Sequence, residues 1–222
     1  NSYEDIVLEK NSKLKNLYLQ DGRSKGFFHK FLKSKLSFNS DYSNLIFSSG
    51  LKFNKLDIQC DMMEENSKCN ILSALYLNNE EHQEIKTRIN HFSPNCKSYQ
   101  KVKNVLASES KGIFQGKIHV KDVAQKTDAY QLSKALLLND NAEFNSKPEL
   151  EIYADDVKCS HGSTSGSLDE DSLYYLMSRG LSREESVKLL TKGFLNDIVE
   201  FIKSDTIKKF VESKLDRQIN GH

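Results

Sequence analysis

Between residues 41 and 160, short apolar or alternating runs recur, and each ends at a turn cluster. They include "SNLIFSSG", "NKLDIQC", "CNILSALYLNN", "GIFQGKIHVKD", "KALLLNDNAEF" and "LEIYADD". No helical pattern intervenes, and runs of this length suit strands. In "KIHVK", Ile118 and Val120 point one way while Lys117, His119 and Lys121 point the other, which is a strand with one buried face. Asn, Asp, Ser and Gly punctuate the series. A chain built this way folds as a sandwich, a barrel or a β-solenoid, and periodicity alone does not choose among them. The repeat is loose, with no fixed motif.

After Gly166 the pattern becomes helical. "SLDEDSLYYLMSRG" opens with acids suited to a helix N-terminus and closes at Gly180, the expected C′ residue, with Leu173, Leu176 and Met177 on one face. Ser182 and Glu185 have capping-box spacing. An apolar stripe continues through Val187, Leu189, Leu190, Phe194, Leu195, Ile198, Val199 and Ile202. A last helix carries Ile207, Phe210, Val211 and Leu215 on one side. Near the start of the chain, "KGFFHKFLKSKLSF" has Phe27, Phe28, Phe31, Leu32 and Leu36 at helical spacing and predicts an amphipathic element.

Composition excludes several classes. Lys+Arg is 32 and Asp+Glu is 31, a net charge of +1 that lacks the basic footprint of a nonspecific nucleic-acid binder. No stretch approaches the roughly 20 apolar residues of a membrane span. The opening "NSYEDIVLEK" lacks the layout of a signal peptide. Cys60, Cys69, Cys96 and Cys159 form no CxxC and no disulfide framework, so the expected compartment is the reducing cytoplasm. There is no GxxxxGK[ST], HExxH or GxSxG, hence no phosphate-cradling loop or self-contained active site of those kinds.

The densest chemistry lies in "LEIYADDVKCSHGSTSG". If "LEIYA" is a strand, Leu150, Ile152 and Ala154 face inward. In "VKCSH", Val157, Cys159 and His161 then share a face, roughly 6.5–7 Å apart per two residues. Cys159 and His161 can be read as a thiolate–imidazolium pair, as two ligands of one metal, or as core residues near a strand end. Two ligands do not complete a four-coordinate site, so a metal reading needs donors from elsewhere. His91 and Cys96 in "NHFSPNC" are weak metal evidence and read first as structural, and Cys60 and Cys69 read as small hydrophobes.

Three stretches together carry a resemblance: "TRINHFSPNCKSYQ", "SKGIFQGKIHV" and the run from "AQKTDAYQLSKALLLND" through "KPELEIYADDVKCSHG" to "LYYLMSRGL". In order and spacing they resemble the SufD branch of the SufB/SufD family of iron–sulfur cluster assembly scaffolds, over about residues 70–200. The resemblance implies a mainly β fold, a right-handed parallel β-helix with a C-terminal α-helical segment. Its expected divisions are 1–40, an N-terminal region that matches poorly, 41–166, the β-helix core, and 167–222, the helical region that docks the ATPase SufC. It implies a non-enzymatic scaffold that pairs with a SufB-like paralogue and binds a SufC-like ATPase, with a homodimer possible when SufB is absent. A transient iron–sulfur cluster at the SufB–SufD interface would meet His161, a metal ligand shared with the partner, beside Cys159. No nucleotide would bind this chain. SufC docking is expected at Tyr174, Leu176, Met177, Arg179, Gly180, Leu189, Leu190 and Phe194. The competing reading is a Cys/His hydrolase or transferase using Cys159 and His161.

Overall fold

The computed structural model of the protein describes residues 1–20 and 24–220. Among these, the chain forms twelve strands and then three helices. The strands are β1 (Ser2–Leu8), β2 (Lys13–Gln20), β3 (Ser24–Leu36), β4 (Asp41–Ser48), β5 (Leu51–Met62), β6 (Lys68–Leu77), β7 (His82–His91), β8 (Lys97–Leu106), β9 (Lys111–Val120), β10 (Asp128–Leu137), β11 (Glu143–Ile152) and β12 (Lys158–Ser167). Odd-numbered strands form one sheet, ordered β1-β3-β5-β7-β9-β11, and even-numbered strands form the other, ordered β12-β10-β8-β6-β4-β2. Neighbours in both sheets pair parallel. The chain therefore winds as a parallel β-solenoid with two strands per turn. Lys68 pairs with Lys97, Lys97 with Asp128 and Asp128 with Lys158, so the structural repeat is about 30 residues, within the range of solenoid repeats.

The turns explain the Asn-rich punctuation. At the corner leading from the odd sheet to the even one, Asn11, Asn39, Asn66, Asn95 and Lys126 have φ of 60°, 54°, 61°, 60° and 59°. Asn tolerates this left-handed region better than most residues. These corners stack: the backbone N–H of Asn11 donates to the Phe38 carbonyl, that of Asn39 to Glu65, and that of Asn95 to Gln125. The Asn39 amide also donates to Asn11 Oδ1 at 2.8 Å.

Solenoid strands occupy the first 40 residues as well. Where helical spacing predicted an amphipathic element, β3 lies between β1 and β5. The physical reason is arithmetic. Phe28, Leu32 and Leu36 are four apart, and four residues return a side chain to the same face of a strand as well as of a helix. Leu32, Ser34 and Leu36 are buried and alternate with Lys33 and Lys35, and backbone pairing on both sides decides for the strand.

The main core lies between the sheets and includes Leu32, Tyr42, Ile58, Ile71, Ile89 and Phe114. A second core covers the outer face of the even sheet. There Phe47, Leu72, Ala74 and Val105 meet Leu195, Ile198, Val199, Val211 and Leu215 of α2 (Arg183–Val199) and α3 (Asp205–Asn220). This is why "NLIF" in β4 is buried on both faces, while β9 alternates. α3 buries Val211, Leu215 and Ile219, and Ile207 and Phe210 face outward rather than sharing that side. Asp197 on α2 forms ion pairs with Lys101 and Lys103 of β8, the latter at 2.9 Å. Lys103 also donates to the Phe194 carbonyl at 2.5 Å and stands 4.5 Å from the centre of its ring. Burial pushes the Asp197 carboxyl up, but both lysines outweigh it and hold the group below its ordinary range.

One inward position requires glycine. A Cβ at Gly116 on β9 would stand 2.4 Å from Gln131 Oε1 and 2.6 Å from Phe114 Cζ. Gly116→Ala should therefore overpack the interior and lower unfolding stability by about 1–3 kcal/mol in urea denaturation. An unchanged midpoint would show that Gln131 moves aside freely.

Candidate functional site

β12 is the last strand of the even sheet and pairs with β10 alone among the described residues. Its register sets Cys159 on Ala129, His161 on Gln131 and Ser163 on Ser133. All three β10 residues face inward and are buried. Cys159, His161 and Ser163 therefore continue an interior column onto the final turn, where no further turn of the described chain covers them. Cys159 is half-buried and packs against the cluster of Ile118, Val120, Ala124, Ala129 and Ala154. His161 is exposed. Ser133 Oγ donates to Ser163 Oγ at 2.9 Å and lies 2.8 Å from Ser146 Oγ of β11, which ties the two sheets beside this column.

The facing strand behaves the same way. Leu150 pairs with Ile118 and Ile152 with Val120, so the predicted inward parity of Leu150 and Ile152 holds. Ile152 is nonetheless 37% exposed because it lies on the end turn. Ala154 is buried. The solenoid thus ends in a platform whose inward-parity residues are left uncovered, with a thiol, an imidazole and hydroxyls along one edge.

The chemistry of the pair is unequal. Burial pushes the Cys159 thiol up, the Ala129 backbone N–H pulls partly the other way, and Asp128 raises it further. A thiol held up in this way is a poor nucleophile near neutral pH, because the thiolate is the reactive species. Among the described residues, no three His, Cys, Asp or Glu side chains gather where they could hold a metal ion. A metal at His161 would need donors beyond this end turn.

The other sequence candidates separate. His91 is fully buried, with Nε2 2.9 Å from Ser98 Oγ, and desolvation, aided by the neighbouring His119, lowers its imidazole to about 4. Cys96 lies 3.2 Å from Ser67 Oγ. His91 and Cys96 thus have different partners and read as structural. Cys60 and Cys69 are buried in the main core as free thiols. Sequence reasoning missed Gln131, Ser133 and Ser163. Their signal was the alternate-residue match between "AYQLS" and "CSHGS" one turn apart, legible only once the register is known.

The helical candidates form a hairpin. α1 (Glu170–Ser178) is capped by Asp169, whose carboxylate accepts from the Ser172 N–H at 2.8 Å. It ends at Gly180, with φ 96°, where the Gly180 N–H donates to the Met177 carbonyl and the Leu181 N–H to that of Leu176. This is a Schellman closure that favours glycine. The Ser182–Glu185 capping box starts α2. Between α1 and α2 runs a groove lined by Tyr175, Leu176, Leu189 and Leu190, and also by Asp169 and Asp171. Tyr174 is 76% exposed, and Tyr175, Met177 and Leu189 are also exposed. The Arg179 guanidinium lies 5.3 Å from the centre of the Tyr175 ring. Phe194 differs from these, being half-buried and held against Lys103.

The state of Cys159 has a measurable consequence. Iodoacetamide labelling followed by mass spectrometry should modify Cys159 more slowly at pH 7 than a free cysteine peptide. The rate should climb as pH rises beyond the ordinary thiol range of about 8.5. Fast alkylation at neutral pH would contradict the raised thiol and favour nucleophilic chemistry.

Comparison with known proteins gives this geometry a family. The family model described as "SUF system FeS cluster assembly, SufBD core domain" matches residues 1–194. That span includes the N-terminal strands, which the sequence motifs alone left outside the match. The iron–sulfur cluster assembly protein SufD of Escherichia coli is 33% identical over 157 residues, covering 71% of this chain and 37% of that protein. The chloroplastic protein ABCI7 of Arabidopsis thaliana is 32% identical over 197 residues, covering 88% of this chain and 42% of that protein. SufD of Bacillus subtilis is 33% identical over 140 residues, covering 63% of this chain and 32% of that protein. The chain thus spans about two fifths or less of these curated relatives. A parallel solenoid with a Cys–His edge on its last turn, together with these matches, places the chain in the SufBD core family of the SUF iron–sulfur cluster assembly system.

Proposed function

We propose that the chain is a non-enzymatic scaffold in iron–sulfur cluster biogenesis, and that its solenoid end supplies half of an assembly site. The observation that carries this reading is the exposed interior column on β12. His161 is exposed there, and among the described residues it has too few neighbours to complete a metal site. A SufB-like partner covering this end would add the missing donors and bury the exposed Ile152 and Tyr153. The nascent cluster is then a substrate held between two chains. Imidazole serves as a ligand in some cluster types, so His161 suits a transient contact. Cys159 is its half-buried neighbour.

The helix hairpin is the second surface. Its groove, lined in part by exposed Tyr175 and Leu189, together with exposed Tyr174 and Met177 elsewhere on α1, fits a SufC-like ATPase that brings its own nucleotide site. Exposed aromatic and methionine side chains around a groove are the composition of protein-binding patches. The raised Cys159 thiol weighs against the hydrolase or transferase alternative.

His161→Ala should leave circular dichroism and thermal melting unchanged. Iron and sulfide recovered after anaerobic co-expression with SufB- and SufC-like partners should fall at least tenfold. Normal cluster content in that variant removes His161 from the site. Tyr175→Glu combined with Leu189→Glu should weaken capture of the ATPase tenfold or more, a cost of at least about 1.4 kcal/mol. Retained affinity would move the docking surface elsewhere.

A further inference from the structure

His161 stands on a column of buried amides. Register places Gln131 directly beneath it and Gln100 directly beneath Gln131. Both glutamines are essentially fully buried. Thr87 on the facing sheet donates from Oγ1 to Gln100 Oε1 at 2.5 Å. One turn closer to the end, Gln131 Nε2 donates to the Gly116 carbonyl at 3.3 Å. The Gln131 carboxamide fills the space where a Cβ at Gly116 would lie.

That arrangement leaves one atom conspicuous. Gln131 Oε1 is buried and has no hydrogen-bond partner, and Gln100 Nε2 below it is also unpartnered. The Gly116 carbonyl can only accept, so it fixes the amide orientation and leaves the oxygen as the free end. An unsatisfied buried oxygen costs about 1–3 kcal/mol, and most native folds avoid it. Here it belongs to the residue paired one strand below the one proposed to meet the cluster.

We propose that Gln131 is a positioning residue for His161. Its Oε1, unpartnered as the structure stands, accepts from one imidazole nitrogen when the exposed His161 side chain turns in over the column, and so decides which nitrogen keeps its lone pair to face out of the solenoid end. A ligating imidazole offers only its unprotonated nitrogen, and the partner of the other nitrogen selects the tautomer. A neutral amide does this without burying a charge. The inference rests on the reading of His161 as the cluster-facing residue.

The test reads the tautomer without any iron. Two-bond proton–nitrogen correlation spectra of the labelled chain at about pH 9, well above the ordinary imidazole range, report which nitrogen of His161 carries the proton. One tautomer should dominate in the native sequence. Gln131→Met keeps length and volume, adds no buried charge, and should return His161 to the mixture of free imidazole. Gln131→Glu keeps an acceptor at the same point and should preserve the single tautomer. If the glutamate variant does not fold, the methionine variant decides alone. An identical tautomer ratio in the native chain and Gln131→Met overturns the proposal. If His161→Ala still blocks cluster assembly in that case, only the role of Gln131 is lost. If His161→Ala assembles clusters normally while Gln131→Met shifts the tautomer, the contact stands and the proposed function falls.

Discussion

Parallel, in-register stacking of the turns is the constraint on which the structure depends. A strand in this solenoid satisfies its backbone by pairing with the turn below and the turn above, at a spacing of about 4.8 Å. Side chains at the same register position form columns along the axis, so each inward residue is buried only if another turn lies over it. Ala129, Gln131 and Ser133 meet that condition, and Cys159, His161 and Ser163, one turn later in the same columns, do not. The exposure of the candidate site thus follows from where the stacking stops, and it needs no special loop.

Among the described residues, helices cover one of the two sheets, and this asymmetry organises the rest. α2 and α3 close the even sheet with Leu195, Ile198, Val211 and Leu215, anchored by Asp197 between Lys101 and Lys103. The odd sheet's outer face carries ion pairs such as Lys55–Glu84 and Lys117–Glu151 beside aromatic contacts such as Tyr3–Phe31 and Phe27–Phe53. Because α2 is committed to the solenoid through Leu195 and Phe194, the side of the α1–α2 hairpin carrying Tyr175 and Leu189 is left free. The solenoid end and the helical groove therefore share no lining residue.

Legibility of the sequence followed the uniqueness of each pattern. The alternation in "KIHVK", the turn residues that punctuate the runs and the Ser182–Glu185 cap each admit one local reading, and each appears as read, with Asn supplying most of the left-handed corners. "KGFFHKFLKSKLSF" admitted two, because a spacing of four satisfies both periods, and only pairing with β1 and β5 resolved it. The outward turn of Ile207 and Phe210 was equally hidden. A helix with apolar residues around more than one face does not announce which face its neighbour will take. His91 and Cys96 looked like a pair in sequence, yet a strand end and a corner send them to different partners.

For the candidate site the division is sharper. The sequence by itself determined that Cys159 and His161 share a face, because side chains in an extended chain repeat every two residues. It also determined that the local donor set is incomplete, and its motifs pointed to the family. Only the tertiary structure decided that this face is the interior column of the last turn, that Gln131 lies beneath His161, and that the thiol is pushed up by the core it touches. These are consequences of register across about 30 residues of intervening chain. Register is set by the packing of all the turns together, and no local spacing encodes it.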